Sequence, residues 1–198
     1  MKSRRCIILL VVGMLLFPVT ARAGTPLETV KGHVNSVLDV LRDSSLKGES
    51  SKKIKKDKIR SLSEKMFDYA ELSRRTLGRN WTKFGAGQQE EFIDLYKSIL
   101  EGAYIDRIMS YSEEKVLFNK EDQLTEKTAE VQTTIVTKKA DIPIFYRVIL
   151  KGGEWRVYDV IIEGVSLVSN YRSQFSQILA NKSPEGLLET LRKKTGKA

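Results

Sequence analysis

The sequence predicts an α+β fold in which an antiparallel four-stranded twisted sheet is wrapped by several helices and encloses a hydrophobic pocket. The first observation is a Gly152-Gly153 pair between two runs rich in β-branched and aromatic residues, 142–151 and 154–163. This is the pattern of a β-hairpin with a two-residue loop. The second observation is a series of apolar residues at helical spacing after Gly164. The last strand therefore leads into a helix that can fold back over the sheet.

The hairpin predicts one apolar sheet face that carries a single acid. Folding about the glycines gives the cross-strand pairs Leu150 with Trp155, Val148 with Val157, and Tyr146 with Asp159. Residues two apart on a strand share a face, so we expect all of these side chains to point toward the pocket. The prediction depends on the register, because a shift of one residue moves a strand's side chains to the other face.

Two further strands precede the hairpin. Residues 128–137 alternate apolar and polar side chains, with Val131 and Ile135 among the apolar ones. Such alternation is typical of a strand with one covered face. Residues 115–119 form a shorter candidate strand. With the hairpin, these strands predict a four-stranded antiparallel meander.

Helices are predicted on both sides of this meander, from apolar residues that recur with a period near 3.6. Besides the helix after Gly164, the helical segments are 25–42, with Thr25 as its N-cap, 59–77, 88–111 and 184–194. Helices that precede and follow a group of consecutive strands indicate the α+β class.

The N-terminus has the pattern of an export signal. Basic residues at its start precede an apolar run at 7–19, and Ala21-Arg22-Ala23 is a small-residue cleavage site. The alternative, a retained membrane anchor, is disfavoured because the run is short and Gly13 and Pro18 interrupt it. We therefore expect a cleavable signal peptide at 1–23 and a single exported domain at 24–198.

Composition limits the classes of partner and the sources of stability. The formal net charge is +9, and four basic residues but no acids lie in the signal, which leaves +5 for the rest. No basic segment is interleaved with aromatic residues, so we expect no nucleic-acid partner. The single cysteine, Cys6, belongs to the signal. The domain therefore has no disulfides and must be stabilised by a hydrophobic core.

Catalytic patterns are scarce. His33 is the only histidine, so with no cysteine after the signal we expect neither a metal site nor a nucleophilic triad, and no cofactor. Asp159, predicted to lie opposite Tyr146, is the remaining candidate. A buried carboxylate there could serve as the proton-transfer base of an exported isomerase-like enzyme. The other interpretation is a structural hydrogen bond, reinforced by Arg172 or Arg107.

The strand-to-helix stretch resembles a known family. Residues 155–175, W-R-V-Y-D-V-I-I-E-G-V-S-L-V-S-N-Y-R-S-Q-F, are similar to the signature of the MlaC family. These proteins, also called toluene-tolerance auxiliary proteins, are the periplasmic phospholipid-binding components of an ABC-type lipid transport system. Upstream segments at 77–81 and 88–111 and the Tyr146-Arg147 pair match as well. The resemblance extends over nearly all of the chain after the signal.

The resemblance implies a carrier rather than an enzyme. Its fold would enclose a deep hydrophobic pocket, cystatin- or NTF2-like in general shape, with acyl chains inside and the head group at the mouth. The cargo would be a phospholipid, with no other bound group. The implied partners are an inner-membrane complex of MCE-domain protein, permease and ATPase, and an outer-membrane lipoprotein complex. Transient contact with membrane surfaces would accompany this role in outer-membrane lipid asymmetry.

The predicted pocket walls combine the apolar faces of helices and strands. The residues expected to contact lipid are Phe67, Leu100, Tyr104 and Ile108 on helices, Val131 and Ile135 on the second strand, Val148, Trp155, Val157 and Ile161 on the hairpin, and Val165, Val168 and Tyr171 after it. A third interpretation is a module that binds a protein partner, in which these apolar faces are merely core and no cavity separates sheet from helices.

Two basic segments are candidate docking surfaces. Five lysines lie within 52–58, and Arg192, Lys193 and Lys194 form a second group near the C-terminus. A segment of this kind is usually a solvated helix start. If one borders the pocket mouth, it would steer the protein toward anionic head groups or an acidic partner.

Overall fold

The computed structural model describes residues 24–111 and 114–197 of the 198-residue chain. The predicted signal peptide, residues 1–23, lies outside the described residues. The helices are α1 (Pro26–Arg42), α2 (Lys52–Met66), α3 (Tyr69–Leu77), α4 (Ala86–Ser110), α5 (Leu167–Leu179) and α6 (Pro184–Thr195). The strands are β1 (Lys115–Thr125), β2 (Thr128–Val136), β3 (Asp141–Lys151), β4 (Glu154–Ile162) and β5 (Val165–Ser166). No helix in the described part of the chain has an apolar stretch long enough to cross a bilayer.

The strands form one antiparallel sheet in the order β1-β2-β3-β4-β5. The α+β class and the four-stranded meander are therefore confirmed. The two-residue strand β5 was not predicted, and it pairs with the end of β4 through Ile161 and Ile162. β1 extends to Thr125, beyond the predicted end, and a register shift after Phe118 interrupts its pairing with β2. That irregularity obscures the alternation that marks a strand in sequence.

The hairpin turn follows from its glycines. Gly152 and Gly153 have φ values of 60° and 84°, the left-handed conformation that a tight hairpin loop requires at both central positions. Leu150 pairs with Trp155 and Val148 with Val157, as predicted.

Beyond Val157 the predicted register is wrong. Arg147 pairs with Asp159 while the next residue, Val148, pairs with Val157, so β4 contains one extra residue, Tyr158. This β-bulge exchanges the faces of β4 that follow it. Tyr146 therefore lies opposite Val160, not Asp159.

The predicted helix at 59–77 is divided in two. The Phe67 backbone forms a bridge with Val157, and the Asp68 amide donates a hydrogen bond of 2.9 Å to the Val157 carbonyl. The Asp68 carboxylate then caps α3 by accepting from the Glu71 amide at 2.9 Å. The backbone between α2 and α3 thus pairs with the free edge of β4, and these groups cannot form the internal hydrogen bonds of a continuous helix.

The predicted N-cap of the first helix is confirmed. Thr25 caps α1 as predicted: its hydroxyl accepts from the Glu28 amide at 3.2 Å, and the Glu28 carboxylate accepts from the Thr25 amide at 3.1 Å. At the other end of the chain, Arg172 of α5 donates from Nε and Nη2 to the Arg75 carbonyl, at 3.1 and 2.6 Å. These hydrogen bonds satisfy a carbonyl in the last turn of α3 and join α5 to α3.

The main hydrophobic core lies where the first half of α4 meets α5 and α6. Phe92 and Tyr96, in the first half of α4, pack edge to face against Phe175 of α5 with ring centroids 5.5 and 5.3 Å apart. Tyr171 lies 5.1 Å from Tyr96. α6 adds buried leucines to the same cluster. This close packing involves the first half of α4, whereas the second half of the helix borders a cavity.

Candidate functional site

A cavity of about 260 Å³ lies between the second half of α4 and one end of the sheet. The lining residues on the helices are Val34, Val37, Leu38, Leu41, Ile59, Arg60, Ser63, Met66, Tyr69, Leu72, Leu100, Glu101, Tyr104, Ile105, Arg107, Ile108 and Leu167. Those on the strands and connections are Phe67, Tyr111, Glu114, Val116, Ile135, Ile142, Ile144, Tyr146, Val160 and Ile162. Most of these side chains are aliphatic or aromatic, so the cavity suits an apolar ligand.

The sheet's contribution to the wall comes from cross-strand pairs at one end. Val116 pairs with Ile135, and Ile135 with Ile142. Further along β3, Ile144 lies opposite Ile162 of β4, and Tyr146 lies opposite Val160. Paired residues share a face, so these side chains form a continuous apolar floor. The β4 part of this floor exists because the bulge at Tyr158 turns Val160 and Ile162 inward.

The structure places only some of the predicted lipid-contact residues on this wall. Those on the wall are Phe67, Leu100, Tyr104, Ile108 and Ile135. Those buried in the core instead are Val131, Val148, Trp155, Val157, Val168 and Tyr171. On the sheet, the core residues lie nearer the hairpin loop, where they pack in one cluster with Val30 of α1 and Leu72 of α3. Lipid contact stays a prediction for every one of these residues.

Two of the predicted positions differ more strongly from expectation. Ile161 pairs with Phe145 on the opposite sheet face, as a result of the bulge. Val165 is 56% exposed, because β5 carries it outward before α5 begins. Neither side chain lines the cavity.

Sequence reasoning missed the wall that α1 and α2 provide. Val34, Val37 and Leu38 of α1 face the cavity, as do Ile59 and Met66 of α2. Their helical periodicity was visible in the sequence. Periodicity shows that a helix has an apolar face, however, and does not show whether that face meets a neighbour or an open space.

A first group of polar residues in the wall, on α2, α3 and α4, already has partners for most of its polar atoms. Arg60 is 2.9 Å from Asp57 and 3.4 Å from Glu101. The Tyr69 hydroxyl donates to Ser63 Oγ at 3.2 Å, and burial raises the pKa of Tyr69 to about 12. One oxygen of Glu101, Oε1, is buried and has no hydrogen-bond partner within the described structure.

A second polar group combines α4 and β3. Tyr104 and Arg107 are three residues apart on α4, which places them on one helix face. Tyr111, the C-cap of this helix, and Tyr146 of the sheet line the same cavity. Burial raises the pKa of Tyr146 to about 12 and also raises that of Tyr104. Both hydroxyls are therefore neutral hydrogen-bonding groups at physiological pH. Tyr146 keeps accessible surface because it faces the cavity.

Asp159 lies outside the cavity and serves the backbone. Its side chain is 2% exposed, accepts from Ser166 Oγ at 2.6 Å and from the Val168 amide at 3.0 Å, and lies 3.7 Å from Arg147. These contacts fix the connection from β4 into α5 and place a negative charge at the helix N-terminus. The positively charged partner of Asp159 is Arg147 rather than Arg172 or Arg107, the partners expected from the sequence.

Metal ligands do not cluster in the described part of the chain, where no group of at least three His, Cys, Asp or Glu side chains could hold an ion. His33 is half-buried, and this burial, more than the nearby Arg156, lowers its pKa.

An α+β fold with an apolar cavity and a small polar group in its wall is typical of proteins that enclose an apolar ligand. Residues 31–193 match the family model described as MlaC protein, and the chain therefore belongs to the MlaC family.

The names of two similar proteins agree with this family membership. The chain is 25% identical over 119 residues to the intermembrane phospholipid transport system binding protein MlaC of Haemophilus influenzae, a match that covers 58% of this chain and 56% of that protein. It is 22% identical over 173 residues to the toluene tolerance protein ttg2D of Pseudomonas putida, covering 86% of this chain and 80% of that one. The match thus spans little more than half of the Haemophilus protein.

A solved structure shares the fold. The phospholipid-binding protein from Ralstonia solanacearum, solved in complex with a phospholipid, superimposes with a TM-score of 0.77 at 22% sequence identity. The superposition covers 87% of this chain and 98% of that chain.

Proposed function

We propose that this protein is a periplasmic phospholipid carrier, whose residues 24–198 form one lipid-binding domain after removal of a signal peptide. It takes lipid from, or delivers lipid to, an inner-membrane complex of MCE-domain protein, permease and ATPase and an outer-membrane lipoprotein complex. The observation that carries this proposal is the apolar cavity between α4 and the sheet. The names of the Haemophilus and Ralstonia proteins support phospholipid as the cargo.

The energetics of lipid transfer favour a carrier with an apolar interior. A phospholipid has roughly 30 methylenes, and exposing each one to water costs about 0.8 kcal/mol. Unassisted transit between two membranes is therefore very slow. Transfer from a bilayer to an apolar cavity exchanges one apolar environment for another, so loading and release can both occur without a large change in free energy.

The size of the cavity indicates that its walls move during loading. A cavity of about 150 Å³ holds one benzene molecule, so about 260 Å³ accommodates on the order of a dozen carbon atoms. Two acyl tails exceed this by a wide margin. We therefore propose that the helices over the cavity separate from one another or from the sheet during loading.

The enzyme alternative loses its base in this geometry. An isomerase that used Asp159 would need that carboxylate on the cavity wall, within hydrogen-bond reach of its substrate. Asp159 instead faces Ser166 and the start of α5. The protein-partner alternative requires a filled interior, whereas a cavity of about 260 Å³ lies beyond Leu100.

A loading experiment with defined vesicles tests the proposal. Protein stripped of lipid in denaturant and refolded is incubated with vesicles that contain a fluorescent phospholipid, then separated from them by size. We expect stoichiometric uptake, and we expect the loaded protein to pass the lipid to acceptor vesicles. Folded protein that takes up no phospholipid under these conditions would contradict the proposal.

A further inference from the structure

We propose that Arg107, assisted by the hydroxyls of Tyr111 and Tyr146, holds the phosphodiester of the bound lipid at the cavity wall. This inference rests on the proposed carrier function and assigns the position of the charged head group within it. The ligand chemistry is an anionic phosphate ester, and the side chains come from the end of α4 and from β3.

Arg107 differs from the other arginine of the wall in its pairing. Arg60 contacts Asp57 at 2.9 Å and Glu101 at 3.4 Å, so its charge is already balanced. Arg107 lines the same cavity, but within residues 24–111 and 114–197 it forms no ion pair with an acid. A guanidinium presents several donors in a planar fork that matches a phosphate, and one without an ion-paired acid beside an apolar cavity is suited to that role.

Hydroxyl groups complete the donor set. Tyr111 follows Arg107 by four residues and is the C-cap of α4. Hydrogen bonding to Tyr111 contributes most to the raised pKa of Arg107. Tyr146 projects from β3 into the cavity, and its hydroxyl makes no hydrogen bond with any described residue. A phenol is protonated at neutral pH, and burial raises the pKa of Tyr146 further, to about 12, so that hydroxyl can donate to an anionic oxygen.

The surroundings separate this polar group from the acyl chains. Ile108 and Ile144 line the cavity beside it, so tails held there would emerge next to the cation. Arg107 itself is exposed to solvent. A head group at this position can thus keep its remaining oxygens hydrated while one phosphate oxygen contacts protein, which avoids the penalty of burying a charge completely.

A purely structural role for Arg107 is the competing explanation, since a basic residue in the last turn of a helix stabilises the helix dipole. The two roles predict different results. Loss of a dipole interaction lowers stability for every cargo, whereas loss of a phosphate contact lowers retention only of lipids that have a phosphate.

The test is competitive loading from vesicles that contain equal amounts of a phospholipid and the diacylglycerol with the same acyl chains, with bound lipids counted by mass spectrometry. The parent protein should prefer the phospholipid, and Arg107→Gln should reduce that preference about three- to tenfold while still binding lipid. Tyr146→Phe should reduce it by a smaller factor. Arg79→Gln, the same change at an exposed arginine outside the cavity wall, should have no effect.

The outcomes are distinguishable. If Arg107→Gln keeps the parent's preference, the head-group assignment is overturned while the carrier function stands. If the folded parent loads neither lipid, the carrier function fails and the assignment fails with it. A further arm adds millimolar inorganic phosphate, which should not displace the phospholipid, because the tails provide most of the binding energy. Displacement by phosphate alone would identify a site for soluble anions and overturn the lipid assignment.

Discussion

Val160 lies directly opposite Tyr146 in the β3–β4 ladder, and both side chains line the cavity. Regular alternation from Val157 would have placed Asp159 there instead. The extra residue at Tyr158 thus decides whether the cavity floor at this point is a valine or a carboxylate. A carrier of acyl chains requires the valine, because an unpaired acid beside lipid tails would be strongly unfavourable.

The first prediction follows from this pairing. Val160→Phe adds a ring to the cavity floor and should reduce the amount of phospholipid bound at saturation, with little loss of stability, because the ring fills an existing space. The amount of lipid per folded protein, measured after extraction, checks this.

Val165→Phe is the matched control, since the sequence had placed Val165 at the pocket whereas the structure exposes it. That variant should load lipid like the parent. Reduced loading by Val165→Phe together with normal loading by Val160→Phe would show that the cavity floor is wrongly placed.

Asp159→Asn should destabilise the protein without changing its cargo. The substitution removes the charge that accepts from Ser166 and the Val168 amide and lies near Arg147. Weakening such buried contacts costs about 1–3 kcal/mol, which is measurable as a lower midpoint in denaturant. Lipid bound per folded molecule should equal that of the parent. A variant with parental stability and altered lipid binding would contradict the structural role assigned to this carboxylate.

The seam between α2 and α4, defined by the ion pairs Lys56–Asp106, Arg60–Glu101 and Lys97–Glu64, is the predicted route by which the cavity widens. Ile59 and Leu100 lie behind it on the cavity wall. Exposed pairs of this kind contribute about 0.2–1 kcal/mol each. Lys56→Gln should therefore speed lipid exchange between vesicles by up to about fivefold.

The charge-exchanged double variant Lys56→Asp with Asp106→Lys provides the control, because it restores an ion pair of opposite orientation. Its exchange rate should return toward the parental rate, and the difference among the variants should diminish in high salt. Equal rates for parent and Lys56→Gln at low salt would mean that lipid enters elsewhere.

We predict that the lysine segment 52–58 orients the protein on an anionic surface. Lys55 donates to the carbonyl of Leu41, a cavity-wall residue, at 3.0 Å, so the start of α2 adjoins the cavity. Lys53 and Lys58 point to solvent, and Ile54 beside them is 52% exposed. Lys53→Glu with Lys58→Glu should slow lipid uptake from anionic vesicles at low salt and leave the bound amount at saturation unchanged.

The second basic segment supplies a control for this prediction. Arg192 pairs with Glu91 in the first half of α4, away from the cavity, at 2.9 Å between Nη2 and Oε2. Lys193→Glu with Lys194→Glu makes the same change in net charge there and should slow uptake much less. If both double variants slow uptake equally, net charge rather than the position of the lysines governs the encounter.

The sequence was sufficient for the hairpin but not for the bulge. Gly152 and Gly153 define the turn, and the pairs next to it follow from geometry. From Val157 to Ile162 β4 is apolar on both faces apart from Asp159, so no alternation between polar and apolar residues marks the change of face at Tyr158. A register prediction from periodicity has nothing to detect in such a strand.

The cavity shows a second limit. Val131 and Ile135 have the same character and lie on the same face of β2, yet Val131 is in the core and Ile135 lines the cavity. The difference depends on how closely the helices approach the two ends of the sheet. This distance is set by packing far along the chain, such as the Phe92, Tyr96 and Phe175 cluster, and not by the residues of the strand itself.

The most direct test of the carrier account is native mass spectrometry of the protein purified from its native host without detergent. The account predicts a mature protein that begins after residue 23 and carries additional mass equal to a phospholipid, which disappears when the protein is denatured. Reproducibly lipid-free, folded protein from such a preparation would contradict it.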